Sequence, residues 1–224
     1  NGAGKTQLLR GLKHSLNAHL NGKKIRYVSA GRLGPMENYR SDYDGTHGQP
    51  SFDSASFGDK SSTQRRHKTE TILGDFATLS ERPDVLIKVQ ERLRKLFKRD
   101  IVVDWDGGRL KIFFSRVDQT TTKNYSSARE ASGLLHLAAI LASLYDDEVG
   151  CLLIDEPEVS LHPQLQSFLL NEIKKVAGSN TEKGKKLIFI STHSTEFIEV
   201  NSVTDLASII FCNDIQESPI QVDP

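Results

Sequence analysis

A chain of 224 residues, 37% of them apolar, is long enough to bury a substantial core, which excludes a largely disordered protein. Its 29 basic and 29 acidic residues cancel, so composition gives no global basic footprint for nucleic acid or an anionic membrane. The longest apolar stretch, Leu134 to Tyr145, contains His136 and is too short to cross a bilayer, while Cys151 and Cys212 lie in apolar, strand-like runs and read as buried free thiols of a reducing, cytoplasmic compartment.

The first residues, Asn1-Gly2-Ala3-Gly4-Lys5-Thr6, match the tail of the phosphate-loop pattern G-x-x-x-x-G-K-[ST], with Gly4 as the glycine before the lysine. The opening glycine and the strand that feeds such a loop are therefore expected ahead of Asn1, and the sequence is read as a fragment. Glycines are needed there because the backbone N–H groups must curl around an anion while the next helix presents its positive end. That helix is predicted from Leu8, Leu9, Leu12, Leu16 and Leu20, which recur on one face and stop at Asn21-Gly22. A strand follows over Ile25 to Ser29. Ser41 to about Ser62 is rich in Ser, Gly and Asp without periodicity and reads as an insertion or mobile loop.

Ile72, Leu73, Phe76 and Leu79 predict a helix, and Leu86, Val89, Leu93, Leu96 and Phe97 predict a second one beginning near Pro83. The other face of this second helix carries Lys88, Arg92, Arg94, Lys95, Lys98 and Arg99, which are either solvated or track a phosphate backbone or an acidic partner. Ile101 to Trp105 and Leu110 to Phe114 flank Asp106-Gly107-Gly108 as a hairpin, completing a small α+β lobe. From Ser126 onward the order becomes helix (Leu134 to Tyr145), strand (Cys151 to Asp155), helix (Pro163 to Val176), strand (Leu187 to Ser191), short helix and strand (Ser208 to Cys212). This alternation predicts an α/β fold with a mostly parallel sheet. The unbroken apolar runs at Cys151 to Ile154 and Leu187 to Ile190 predict central strands.

Lys5 and Thr6 have the chemistry to reach the terminal phosphates of a nucleotide and to place a hydroxyl on Mg²⁺. Asp155 and Glu156 end an apolar strand as paired carboxylates, which either hold a cation and polarise a water or cap the next helix. His193, in Ser191-Thr192-His193-Ser194, also follows a strand and is expected at the carboxyl edge, where open α/β sheets bind ligands.

Four segments together resemble ATP-binding-cassette type ATPases of the non-transporter branch that includes RecF-like, structural-maintenance-of-chromosomes and OLD-type proteins. They are Gly2 to Thr6, Ala131-Ser132-Gly133-Leu134-Leu135, Leu153 to Pro163, and Ser191 to Ser194. The resemblance implies a P-loop NTPase fold in which residues 1–40 and 126–224 form the ATPase core around an inserted lobe at 41–125. It implies nucleotide binding by Asn1, Gly2, Ala3, Gly4, Lys5 and Thr6, magnesium held by Thr6 and Asp155, catalysis by Glu156 with His193 as switch residue, and a D-loop from Glu158 to Pro163. ATP and Mg²⁺ are the implied cofactors. A head-to-tail homodimer is implied too, with Ser132 and Gly133 meeting the partner's ATP, although by residue type alone Ser132 is equally the cap of a core helix. Ala30 to Pro35 resembles the segment after the second strand of OLD-like ATPases, although Arg32 to Pro35 reads equally as an ordinary turn; no Gln stands there, and Gln49, the next one, lies in an irregular stretch and is not assigned. The likeness to OLD-type and PARIS-like proteins implies a slow, dimerising ATPase switch that controls a nuclease effector, Toprim-type or other, in anti-phage defence. The alternative is a RecF-like DNA-repair ATPase whose basic helix and dimer cleft hold DNA.

Overall fold

In the computed structural model, which describes residues 4–30, 58–117, 124–179, 181–212 and 218–221, the expected alternation becomes a parallel and an antiparallel sheet joined by helices. Helix α1 (Lys5–Leu16) leads into β1 (Lys24–Val28). After the short α2 (Lys60–Thr63) come α3 (Ile72–Glu81), α4 (Pro83–Phe97), β2 (Arg99–Asp106), β3 (Arg109–Arg116) and β4 (Tyr125–Ser126). Then follow α5 (Ser132–Tyr145), β5 (Val149–Asp155), α6 (Pro163–Val176), β6 (Leu187–Ser191), β7 (Ile210–Phe211) and β8 (Ile220–Gln221). Residues 31–35, Gln49 and most of the Ser41–Ser62 insertion lie outside the described residues.

Strand β5 sits between β1 and β6, parallel to both, and is buried along its whole length. Its pleat sorts alternate side chains to opposite faces. Leu152 and Ile154 join Val28, Phe76, Leu137, Leu141 and Leu169 in the larger core, while Cys151 and Leu153 join Leu9, Leu20, Ile25 and Tyr27 beneath α1. The expected central strand at Cys151 to Ile154 is therefore present. Its counterpart at Leu187 to Ile190 is present as β6, which pairs with β5 on one side; among the described residues no strand pairs with its other side. Leu187 to Ile190 are half-buried, and a cavity of 630 Å³ lined by α1, β6 and residues 208–212 lies beside them. Of the strand expected over Ser208 to Cys212, Ile210 and Phe211 form β7, which among the described residues pairs antiparallel with β8 and not with the parallel sheet. Cys212 is accordingly partly exposed, and Cys151 is the buried thiol.

The lobe follows its local signals. Gly107 and Gly108 turn β2 into β3 with φ of 55° and 74°, the left-handed pair that matches the twist of a hairpin. Pro83 opens α4, and Lys98 closes it in the left-handed region. Of the predicted face, Val89 and Leu93 are buried, Leu86 and Phe97 are partly buried and Leu96 is exposed; with Val85 the buried residues join the cluster that holds α5, so one continuous core runs from the lobe into the parallel sheet. On the basic face, Arg92 pairs with Glu172 at 3.3 Å, Arg94 with Asp100 at 2.6 Å and Arg99 with Glu130 at 3.5 Å. Those arginines serve the fold's own acids.

Arg26 ties the lobe to the sheet. Although it stands in β1, it is 2% exposed, and its guanidinium donates to Asp75 Oδ1 at 2.8 Å, to Ser143 Oγ at 3.3 Å and to the carbonyls of Arg66, Thr69 and Thr71. Gly74 permits the close approach, since a Cβ there would lie 2.4 Å from the Arg66 carbonyl oxygen. Breaking a buried pair leaves one charge without compensation, whereas replacing both members by apolar groups does not. Arg26→Met should therefore lower stability in urea unfolding by about 3–5 kcal/mol, and Arg26→Met/Asp75→Leu by clearly less. A double variant as unstable as the single one would refute the tie.

Lys186 occupies the end of α5, where its ammonium donates to the carbonyls of Ser143 at 3.4 Å and Asp146 at 2.8 Å. Burial pushes this amine down to about 8 against the pull of Asp146 and Asp147. The folded chain thus releases the proton before the unfolded chain, whose lysine titrates near about 10.4. Stability rises as pH climbs between those values and is lost as pH falls back through the folded value. Relative to Lys186→Met, the wild type should gain about 1–3 kcal/mol between about pH 7.5 and about pH 10 in urea unfolding; parallel profiles would contradict this.

Candidate functional site

The strand parity that sorts the core also builds a polar cluster at its carboxyl edge. Asp155 follows Cys151 and Leu153 onto the α1 face as the last residue of β5, Ser191 is its register partner in β6, and Tyr27 stands opposite Leu153 in β1. Thr6, in the first turn of α1, donates to Asp155 Oδ2 at 2.8 Å, and Tyr27 donates to the same oxygen at 2.9 Å. Ser191 donates to Oδ1 at 2.5 Å. Asp155 is 4% exposed, and among the described residues its side-chain partners are these hydroxyls, with no lysine, arginine or histidine paired to it. A buried carboxylate held by neutral donors meets the electrostatic condition for a hard cation with oxygen ligands, so Thr6 and Asp155 fit a magnesium donor set. Burial, followed by the bond to Asp155, pushes the Tyr27 phenol above its ordinary range and keeps it a donor.

Gly4 precedes α1 in the left-handed region at φ 78°, no side chain caps the helix, and no acid lies in its first turn. A glycine turn opening directly onto an uncapped helix end is the backbone shape that receives an anion. Asn1, Gly2 and Ala3 lie outside the described residues.

Glu156 differs from its neighbour. Its backbone is left-handed at φ 48° and its N–H donates to the Ser191 carbonyl at 2.8 Å, so the carboxylate swings clear of the sheet to 3.6 Å from His193 Nε2. The two acids are thus sorted, one buried and fixed, the other half-buried with 34% of its side chain exposed. Neither caps the following helix, because His162 does so, its Nδ1 accepting the Gln164 N–H at 3.4 Å.

Two side chains bind the turn after β5 to the turn after β6. Glu158 accepts the Thr192 hydroxyl at 2.8 Å and the His193 N–H at 2.7 Å. Gln166 accepts the Ser194 hydroxyl at 2.6 Å and donates to the Leu161 carbonyl at 2.8 Å.

Ser132 and Gly133 stand apart from this cluster, and no hydrogen bond among the described residues joins them to Thr6, Asp155, Glu156 or His193. Ala131, not Ser132, is the cap position of α5 and makes no side-chain cap, so the reading of Ser132 as a helix cap does not hold. Gly133 packs against the D-loop segment, where a Cβ would lie 2.3 Å from the Ser160 carbonyl oxygen. A further group with ligand spacing, His67, Asp146 and Glu148, lies at the opposite edge of the sheet. Arg82 takes Asp146 Oδ1 at 3.0 Å and Arg66 takes Glu148 Oε2 at 2.8 Å, so cations of the chain already occupy it. The contacts made by Tyr27, Ser191, Glu158 and Gln166 were missed at the sequence level. A polar-tipped residue inside or ending an apolar strand was the available signal for the first two, and the second acid of Asp-Glu-Pro-Glu for the third.

Residues 41–199 match the family described as AAA domain, putative AbiEii toxin, Type IV TA system. The chain belongs to that family. The matched span holds Ser132, Gly133, Asp155, Glu156 and His193, with Gly4 to Thr6 lying ahead of it, and the molecule is an α/β P-loop ATPase domain. No curated protein matches the chain. Among solved structures, the Smc head bound to the C-terminal winged-helix domain of ScpA is similar at TM-score 0.41 and 14% identity over 60% of this chain and 46% of that one. The Smc head with an extended coiled coil, bound to the C-terminal domain of ScpA from Pyrococcus furiosus, is similar at TM-score 0.43 and 13% identity over 67% of this chain and 37% of that one. This chain therefore spans less than half the length of either. No helix among the described residues is long and apolar enough to cross a membrane.

Gly133→Ala should cost about 1–3 kcal/mol in thermal unfolding, because the added methyl meets backbone that must move. Gly11→Ala, where a Cβ meets nothing within 4 Å, should be neutral or stabilising. Equal effects at the two positions would count against the packing.

Proposed function

We propose that this chain binds Mg-ATP and hydrolyses it, acting as a dimerising switch in a defence system with a nuclease effector. The observation that carries the reading is the 2.8 Å bond between the Thr6 hydroxyl and the buried Asp155, beside the open Glu156 and His193. In this reading the N–H groups after Gly4 and the Lys5 ammonium hold the phosphates, while Thr6 and Asp155 hold the metal. When bound, magnesium supplies positive charge to the phosphate oxygens. Glu156 orients and polarises the attacking water, and His193 stands next to it to register the terminal phosphate. Ser132, exposed at the first turn of α5, faces a partner's nucleotide in a head-to-tail dimer.

The family description names a type IV toxin–antitoxin system, and this association supports a defence role alongside the resemblance of Asp155 to Pro163 to OLD-type and PARIS-like ATPases. A RecF-like DNA-binding reading draws little support from the basic face, where Arg92 and Arg94 of α4 and Arg99 at the start of β2 are paired with acids of the chain.

Glu156→Gln in the full-length protein should reduce phosphate release from ATP by about 100-fold or more while nucleotide binding persists. Light scattering should then find an ATP-dependent doubling of mass in that variant. Unchanged turnover would overturn the role of Glu156, and an unchanged mass would overturn the dimer.

A further inference from the structure

A buried tyrosine stands behind the proposed metal ligand. Tyr27 is 0% exposed and belongs to the small core under α1 with Leu9, Leu20, Ile25, Cys151 and Leu153. The Arg10 guanidinium lies 5.7 Å from its ring centroid. Only the hydroxyl is polar, and it donates to Asp155 Oδ2 at 2.9 Å. Thr6 reaches that same oxygen, and Ser191 takes the other.

These hydroxyls are not equivalent. Those of Thr6 and Ser191 swing with χ1 near the end of the element, whereas the phenol oxygen lies on the axis of a ring that the surrounding core holds in place. Register explains the reach. Tyr27 pairs with Leu153, two residues before Asp155 on the same face, and the long side chain spans that step along the sheet. Without its hydroxyl, Oδ2 would keep only Thr6, a residue the proposed reading also commits to the metal.

We propose that Tyr27 is a positioning residue for the divalent-cation site, fixing the Asp155 carboxylate so that it and Thr6 present their oxygens together. This rests on the Mg-nucleotide reading of the site. Partners that orient a metal-holding carboxylate typically change metal affinity by about 10–100-fold when removed. A tyrosine serving only the core would leave metal affinity unchanged when its hydroxyl alone is deleted.

The test is Mn²⁺ binding to the full-length protein in the presence of a non-hydrolysable ATP analogue, followed by the electron-paramagnetic signal of free Mn²⁺. Tyr27→Phe is compared with Ile25→Val, a change in the same core that leaves the hydroxyl in place, and circular dichroism monitors the fold of each. The expected result is Mn²⁺ affinity about 10-fold or more weaker in Tyr27→Phe and near wild type in Ile25→Val. Wild-type affinity in Tyr27→Phe, or an equal loss in both variants, would overturn the proposal while leaving the nucleotide reading intact. An unfolded Tyr27→Phe would assign the hydroxyl to the fold and overturn it as well. A wild-type protein with no nucleotide-dependent Mn²⁺ binding would overturn both.

Discussion

The burial of Asp155 is the constraint around which the site is arranged. A carboxylate at the end of a fully enclosed strand loses its water, and the fold answers with hydroxyls from α1, β1 and β6. Each donor comes from a different element, so the carboxylate is satisfied only when α1, β1, β5 and β6 are all in place. The alternation of β5 therefore does two things at once. It divides the apolar residues between two cores, and it brings the last side chain to the face where α1 begins.

Around this centre, rigidity is distributed unevenly. Arg26, Asp75 and Ser143 lock the lobe to β1 and α5 through a buried polar network, and a shared apolar cluster surrounds them. At the carboxyl edge, Glu158 and Gln166 join two turns by side-chain hydrogen bonds while Glu156 and His193 remain open. A displacement of the Ser160 segment against Gly133 has a short physical route to His193, through Leu161, Gln166 and Ser194 on one side and Glu158 on the other. The contacts are local, and each has a defined donor and acceptor.

Much of this was legible in the chain. Enclosed strands produce unbroken apolar runs, glycine pairs produce tight hairpins, and a glycine-lysine-threonine step before a leucine face produces a loop-to-helix junction. What stayed hidden depended on partners distant in sequence. Leu187 to Ile190 are an unbroken apolar run, yet hydrophobicity reports the faces of a strand and not its neighbours, so the pairing of β6 with β5 could not be read. The basic face of α4 looked available because the acid that pairs with Arg92 is Glu172, far along the chain. Arg26 within a strand and Asp75 within an apolar helix were each anomalous alone; only the fold makes them a pair. Tyr27 required the register of β1 against β5.

The left-handed backbone at Glu156 carries an evolutionary implication. A residue with a Cβ gives up about 1 kcal/mol or more to stand there, and glycine or asparagine would suit the turn better. On the proposed reading of Glu156, a procedure that improved this chain for folding alone would discard the carboxylate early, and with it the group that polarises the water. On that reading, selection for thermostability and selection for chemistry would pull the Glu156 codon in opposite directions.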